Sequence, residues 1–183
     1  MCWKVSNPFI TLSFHINHFT NMKVLFTALL LVTGIAFGQH TDCLSKTITM
    51  NGEVKKEVQF HLTSLDTIPM KKLADFTITD HKGAFKSTLT NLEGVELQYI
   101  LKQAVIKMEK PKLLSEFYFV FTACDGYKVV YSWNELFNSR TGDNIYLVKE
   151  KNGETLSSIC TADAMTGRRY VQGLSSITIK RAE

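Results

Sequence analysis

Apolar, aromatic and β-branched residues gather most densely between Phe117 and Phe137, the longest such run outside the N-terminal segment. Asp125-Gly126 breaks the run in the middle, which predicts two strands, Phe117 to Thr122 and Lys128 to Tyr131, folded back at that turn. Ser132, with Glu135 three positions later, can satisfy the first free N–H groups of a helix from both ends, so a capped helix is predicted directly after the second strand.

The same reading extends along the chain. Lys46 to Met50 and Glu53 to Leu62, separated by Asn51-Gly52, predict a hairpin, because both turn residues accept positive φ. Thr63 to Asp66 has the form of a second capping box, opening a brief helical turn that Pro69 stops. Asp75 to Thr79 and Phe85 to Thr90 predict two strands around an Asp80 to Gly83 turn. From Val95 to Ile106, Leu97, Ile100, Leu101, Ala104 and Val105 fall at helical spacing opposite Glu96, Gln98, Lys102 and Gln103, which predicts an amphipathic helix. Lys107 to Ser115, with Pro111, and Ser139 to Asn144 predict loops. Three more strands are expected: Ile145 to Val148, ending at an Asn152-Gly153 turn, then Leu156 to Ala162, then Tyr170 to Lys180 with an interruption at Gly173. Many short strands with a few helices between them predict an α+β fold.

The N-terminal run, Val24 to Phe37, is too short for a comfortable membrane span and follows a basic Met22-Lys23. With Ala36 and Gly38 at its end it predicts a signal peptide over 22–38 and an exported protein, periplasmic or secreted. Residues 1–21 stand upstream of that leader and are expected to be a mis-assigned extension, with Met22 the true start. Cleavage after Gly38 leaves one domain, 39–183, with no membrane span. Losing Lys4 and Lys23 lowers the net charge from +4 to +2, a balance that carries no nucleic-acid footprint. Cys43, Cys124 and Cys160 remain; export permits a disulfide, one thiol must stay unpaired, and the pairing is open.

Candidate chemistry is sparse. His40, His61 and His81 have neither i, i+4 partners nor cysteines at metal-ligand spacing, and are expected to be surface residues. Asp125, Gly126 and Tyr127 have the composition of a structural turn that could also border a pocket. Cys124 is either a thiolate ligand or a small buried residue at a strand end. Arg168 and Arg169 carry fixed donor forks suited to a phosphate or carboxylate; the alternative is a solvated pair, or one arginine pinning the last strand.

Taken in order, TITMNGEVKKEVQFHLTSLDTIP, FTITDHKGAF, LEGVELQYILKQAVI, FTACDGYKVVYSWNEL, NIYLVKEKNGETLSS and GRRYVQGLSSITI resemble the molybdopterin-binding domain of the sulfite oxidase family of oxidoreductases. More narrowly they are similar to its short exported stand-alone members, over nearly all of Thr47 to Ile179. The resemblance implies a mixed β-sheet with short flanking helices and a molybdopterin cofactor. Enzymes of the family hold molybdenum through a cysteine in a C-x-G-N-x-R context, and the matching stretch near Thr79 and Asp80 has neither that cysteine nor that arginine. In the late G-A-R-x-V-K-W-L motif, whose basic residues help hold the pterin phosphate, Arg169 matches the arginine. Gln172 replaces the lysine there and Gly173 the tryptophan. The resemblance therefore assigns cofactor binding to Arg169, with Arg168 beside it. The reading favoured is a binding module without the molybdenum-ligating cysteine, holding a small anionic ligand or a protein partner. The alternative is a functional molybdopterin-dependent oxidoreductase or a subunit of one.

Overall fold

A computed structural model of the chain describes residues 43–150 and 153–183. The leader, the extension before it, His40 and Asn152 of the Asn152-Gly153 turn lie outside the described residues. The strands among those residues run β1 (Thr47–Gly52), β2 (Val58–His61), β3 (Lys71–Lys72), β4 (Phe76–Thr79), β5 (Phe85–Leu89), β6 (Glu93–Glu96), β7 (Phe117–Ala123), β8 (Lys128–Ser132), β9 (Ile145–Glu150), β10 (Thr155–Cys160) and β11 (Leu174–Arg181). Helix α1 (Leu97–Leu101) follows β6, and helix α2 (Trp133–Phe137) follows β8. Short 3-10 turns at Leu62–Thr67, Pro111–Glu116, Gly142–Asn144 and Thr166–Arg168 complete the path.

The largest sheet has the order β2-β1-β11-β7-β8, and it is mixed, because β1 and β11 run parallel while every other neighbour pair in it is antiparallel. A four-stranded antiparallel sheet has the order β10-β9-β6-β3, and β4 and β5 make a separate two-stranded ribbon. The fold is α+β, as the sequence predicts.

Alternation explains how these pieces pack. Phe117, Phe119, Phe121 and Ala123 on β7 are buried, with half-buried residues between them. They join Ile48, Met50, Ile177 and Ile179 from the same sheet, Leu97, Ile100 and Leu101 from α1, and Ile145 and Leu147 from β9. Each of these side chains larger than alanine contributes about 1.5–3 kcal/mol by leaving water. The intervening β9 residues, Tyr146 and Val148, belong to a second cluster with Phe76 and Ile78 of β4, Leu92 and Ile159. Strand β9 is thus covered on both faces, which accounts for the unbroken burial of Ile145 to Val148. The ribbon lies on the face of the four-stranded sheet opposite the main core.

The central hairpin and its helix form as predicted. Gly126 takes φ 89° at the turn, and Ser132 and Glu135 close a reciprocal capping box at the start of α2. Three expectations are corrected. Asn51-Gly52 is not a two-residue hairpin turn: both residues continue β1 against Thr178 and Ile179 of β11, and the chain reverses only before Val58. A side chain at Gly52 would put its Cβ 2.1 Å from the Ile179 carbonyl oxygen, so glycine serves close backbone approach as well as positive φ. The Thr63 to Asp66 box does not form; His61 precedes the 3-10 turn without a side-chain cap, and Asp66 pairs with Lys149 instead. The helix expected over Val95 to Ile106 is a single turn, Leu97–Leu101: Gly94, Val95 and Glu96 are taken by the ladder to β9, and Val105 to Lys107 by backbone pairing with Glu53 to Lys55.

Candidate functional site

Two turns and one loop segment converge at the turn end of the ribbon. In the β4–β5 turn, Asp80 Oδ1 accepts hydrogen bonds from the N–H groups of Lys82 (2.7 Å) and Ala84 (2.9 Å). Those two backbone donors, Ala84 first, hold the Asp80 carboxyl below its ordinary range. Segment 165–169 is hooked onto β4 by Thr166, whose hydroxyl accepts from the Thr79 N–H at 3.1 Å and donates to the Thr77 carbonyl. Gly167 follows at a point where a Cβ would stand 1.8 Å from the Thr79 carbonyl oxygen, so only glycine lets the two backbones meet. Arg168 then donates from Nη2 to the His81 carbonyl at 2.8 Å. From the third side, Tyr127 donates its hydroxyl to the Arg168 carbonyl at 2.7 Å, and its own N–H is fixed by Asp125 Oδ1 at 2.9 Å.

These contacts enclose a groove of about 420 Å³, with Lys86 and Arg168 as its cations, His81, and Asp80 and Asp125 as its acids. It adjoins a second groove of about 570 Å³, which runs along Lys86 to Leu92, and Lys86, Tyr170 and Gln172 border both. Between the two, Tyr170 donates its hydroxyl to Glu150 Oε2 at 2.6 Å; burial, then the neighbouring Glu150 charge, push that phenol above its ordinary range. The groove's charges are not equivalent. Asp80 and Asp125 each commit an oxygen to their own turns. Lys86 has no ion-pair or hydrogen-bond partner among the described residues, and Arg168 has only a carbonyl.

Arg169 sits in a different environment. Its Nη2 donates to Glu135 Oε1 at 3.0 Å, its Nε lies 3.6 Å from Asp163 Oδ2, and its guanidinium carbon stands 5.0 Å from the centre of the Tyr131 ring. Burial alone would lower the Arg169 pKa, yet Asp163, Tyr131 and Glu135 together raise it. Glu135 is opposed by burial but held below its ordinary value by the Ser132 N–H, the Ser132 hydroxyl and Arg169. One cation faces two carboxylates here, so the cluster is a closed strut between the segment 163–169 and the start of α2.

Of the residues singled out from sequence, the structure brings Asp125, Tyr127 and Arg168 together at the groove and places Arg169 outside it. Gly126 sits at the tip of the turn, with open space where a Cβ would be. His61 lies on β2 beside Thr47. Sequence reasoning missed Lys86 and gave His81 no role beyond the surface. The one available hint was Lys86 following the turn directly, and the partners that make it matter lie some 80 positions away in Arg168 and Tyr170.

The thiols bear on the implied molybdopterin. A molybdenum centre of the kind the resemblance implies takes a thiolate as its protein ligand. Cys43 and Cys124 are joined in a disulfide, which settles the open pairing; Cys124 is neither a free ligand nor buried. Cys160 is fully buried, and burial, the largest effect, pushes its thiol pKa up. No cysteine lines either groove, and no cluster of three or more His, Cys, Asp or Glu able to hold a metal occurs among the described residues. Among the described residues, neither groove offers the thiolate that such a molybdenum centre takes.

No family model matches the chain, and no curated protein does. Among solved structures it is similar to the crystal structure of the sulfane dehydrogenase SoxCD from Paracoccus pantotrophus, with TM-score 0.51 and 17% identity. The match covers 74% of this chain and 39% of that one, so the chain spans well under half of the structure it matches. At this identity the likeness shows the fold alone.

Proposed function

We propose that this chain is a binding module on an oxidoreductase-type scaffold, related to the molybdopterin-binding domain of sulfite-oxidase-type enzymes but without their molybdenum-ligating cysteine. The single observation that carries the proposal is the groove between the β4–β5 ribbon and Gly167 to Gln172: among the described residues, it presents Lys86 and Arg168 with no carboxylate partner and offers no thiolate. In this reading a small anionic ligand, phosphate- or carboxylate-bearing, bridges the two cations through charge-assisted hydrogen bonds. Arg168 contacts the ligand, and Arg169, assigned to the cofactor by the sequence resemblance, braces the wall behind it. Export agrees with the Cys43–Cys124 disulfide, since such bonds persist in oxidising compartments.

The alternative, a molybdopterin-dependent oxidoreductase or a subunit of one, is favoured by the dehydrogenase likeness of the fold. The two readings part on composition. The protein is purified from a host that makes molybdopterin, molybdenum is measured by elemental mass spectrometry, and pterin by fluorescence after oxidative release. The binding-module reading expects neither at stoichiometric level. Near-stoichiometric amounts of both would replace it with the oxidoreductase.

A further inference from the structure

We propose that the Cys43–Cys124 disulfide sets the affinity of the groove for its anion, so that a dithiol reductant weakens binding there. The inference rests on the groove being the ligand site. Cys124 directly precedes the turn that carries Asp125 and Tyr127 into the groove wall. Its N–H donates to the Gly173 carbonyl at 2.9 Å. Gly173 ends the segment that supplies Gly167, Arg168, Tyr170 and Gln172 to the same groove. A Cβ on Gly173 would lie 2.7 Å from Cys124 Sγ and 2.9 Å from the Cys43 carbonyl oxygen, so the bridge is packed directly on that backbone. At the other end of the segment, the Tyr127 hydroxyl holds the Arg168 carbonyl. Turn and segment thus close a ring of contacts, Cys124 to Tyr127 to Arg168 to Gly173 and back, with the disulfide packed at one corner.

The far half of the bridge is anchored independently. Two residues after Cys43, the Ser45 N–H donates to Thr155 Oγ1 at 2.9 Å and the Ser45 carbonyl accepts from the Leu156 N–H at 2.8 Å, both on β10. The disulfide therefore ties the groove-lining turn to the four-stranded sheet. Cys124 is exposed and Cys43 half-buried, so a small dithiol can reach the sulfurs. Two electrons and two protons pass from the dithiol: the S–S bond breaks, two thiols form, and the reductant closes into its own disulfide. Without the bridge, the turn and the segment keep two hydrogen bonds between them, Cys124 to Gly173 and Tyr127 to Arg168; Arg168 stays hooked on the ribbon, while the groove wall of Asp125 and Tyr127 loses its covalent tie and its fixed position opposite Lys86 and Arg168.

The test titrates inorganic pyrophosphate into the full-chain protein by calorimetry, oxidised and after dithiol treatment, with near-ultraviolet circular dichroism to verify the fold in each state. The expected result is binding in the oxidised protein and about a five-fold or greater loss after reduction, reproduced by the Cys43→Ser/Cys124→Ser variant. Equal affinity in folded oxidised and folded reduced protein would overturn the coupling while leaving the groove as the ligand site. No binding to the oxidised protein would overturn the groove reading and the coupling with it. If reduction unfolds the protein, Tyr127→Phe with the disulfide intact carries the test: a loss of similar size supports the ring of contacts, and unchanged affinity refutes it.

Discussion

Arg168 and Arg169 are neighbours of the same type, yet they occupy regions of opposite electrostatic character. Arg168 lines the groove and, among the described residues, its side chain meets only the His81 carbonyl, while Lys86 beside it has no partner there. Arg169 turns to the other side, where Glu135, Asp163 and the Tyr131 ring take up its charge and its donors. A pair of arginines in a sequence announces anion binding only as far as the fold leaves them without carboxylates. Here it leaves one of the two.

That contrast can be broken outright by Gly167→Ala. The new methyl would sit 1.8 Å from the Thr79 carbonyl oxygen, which forces the segment off β4 and displaces both arginines. A loss of about 2–3 kcal/mol in urea unfolding is expected, together with loss of pyrophosphate binding. Wild-type stability would mean that the segment does not need this close approach.

Arg168→Ala separates the two regions instead. Removing a charge-assisted donor should weaken pyrophosphate binding by about 1.5–3 kcal/mol, roughly ten-fold or more, while the unfolding midpoint stays within error of wild type. Arg169→Ala should do the reverse. With side-chain exposures of 30% for Arg169 and 37% for Glu135, solvent screens the pair, so a loss of only about 1 kcal/mol of stability is expected, with binding retained. A collapse of binding in Arg169→Ala, with stability kept, would return that residue to the ligand site as the sequence resemblance has it.

The smallest effect is the dependence on acid. The folded pKa of Glu135 lies below its ordinary 4.5, so its contribution to stability is fully present above that value and is lost as pH falls through the folded pKa. The acid limb of a stability-against-pH curve should therefore be shallower in Glu135→Gln. Identical limbs would show that the carboxylate is not held as the cluster implies.

Much of this was legible in the chain wherever the determinants are local. The hairpin of β7 and β8 follows from a β-branched, aromatic run broken by Asp-Gly, and the cap of α2 from Ser132 and Glu135, all within 21 residues. Asp125, Tyr127 and Arg168 were in view as candidates for the same reason. Partnerships across the fold were not. The periodic run after Gly94 has the right inward face, since Leu97, Ile100, Leu101 and Ala104 are all buried, but pairing with β9 at its start and with Glu53 to Lys55 at its end cuts the helix to one turn, and Val105 is exposed. Asp66 is drawn out of its expected box by Lys149, 83 positions away. The groove exists because the Thr166 side chain hooks β4 from 87 and 89 positions downstream, and no spacing in the sequence encodes such a contact.

The most direct test of the account is a calorimetric titration of inorganic pyrophosphate into the oxidised protein, run alongside Arg168→Ala and Arg169→Ala. The account predicts saturable binding to the wild type, lost by about ten-fold or more in Arg168→Ala and kept in Arg169→Ala. Absence of binding to the wild type, or loss in Arg169→Ala with retention in Arg168→Ala, would contradict it.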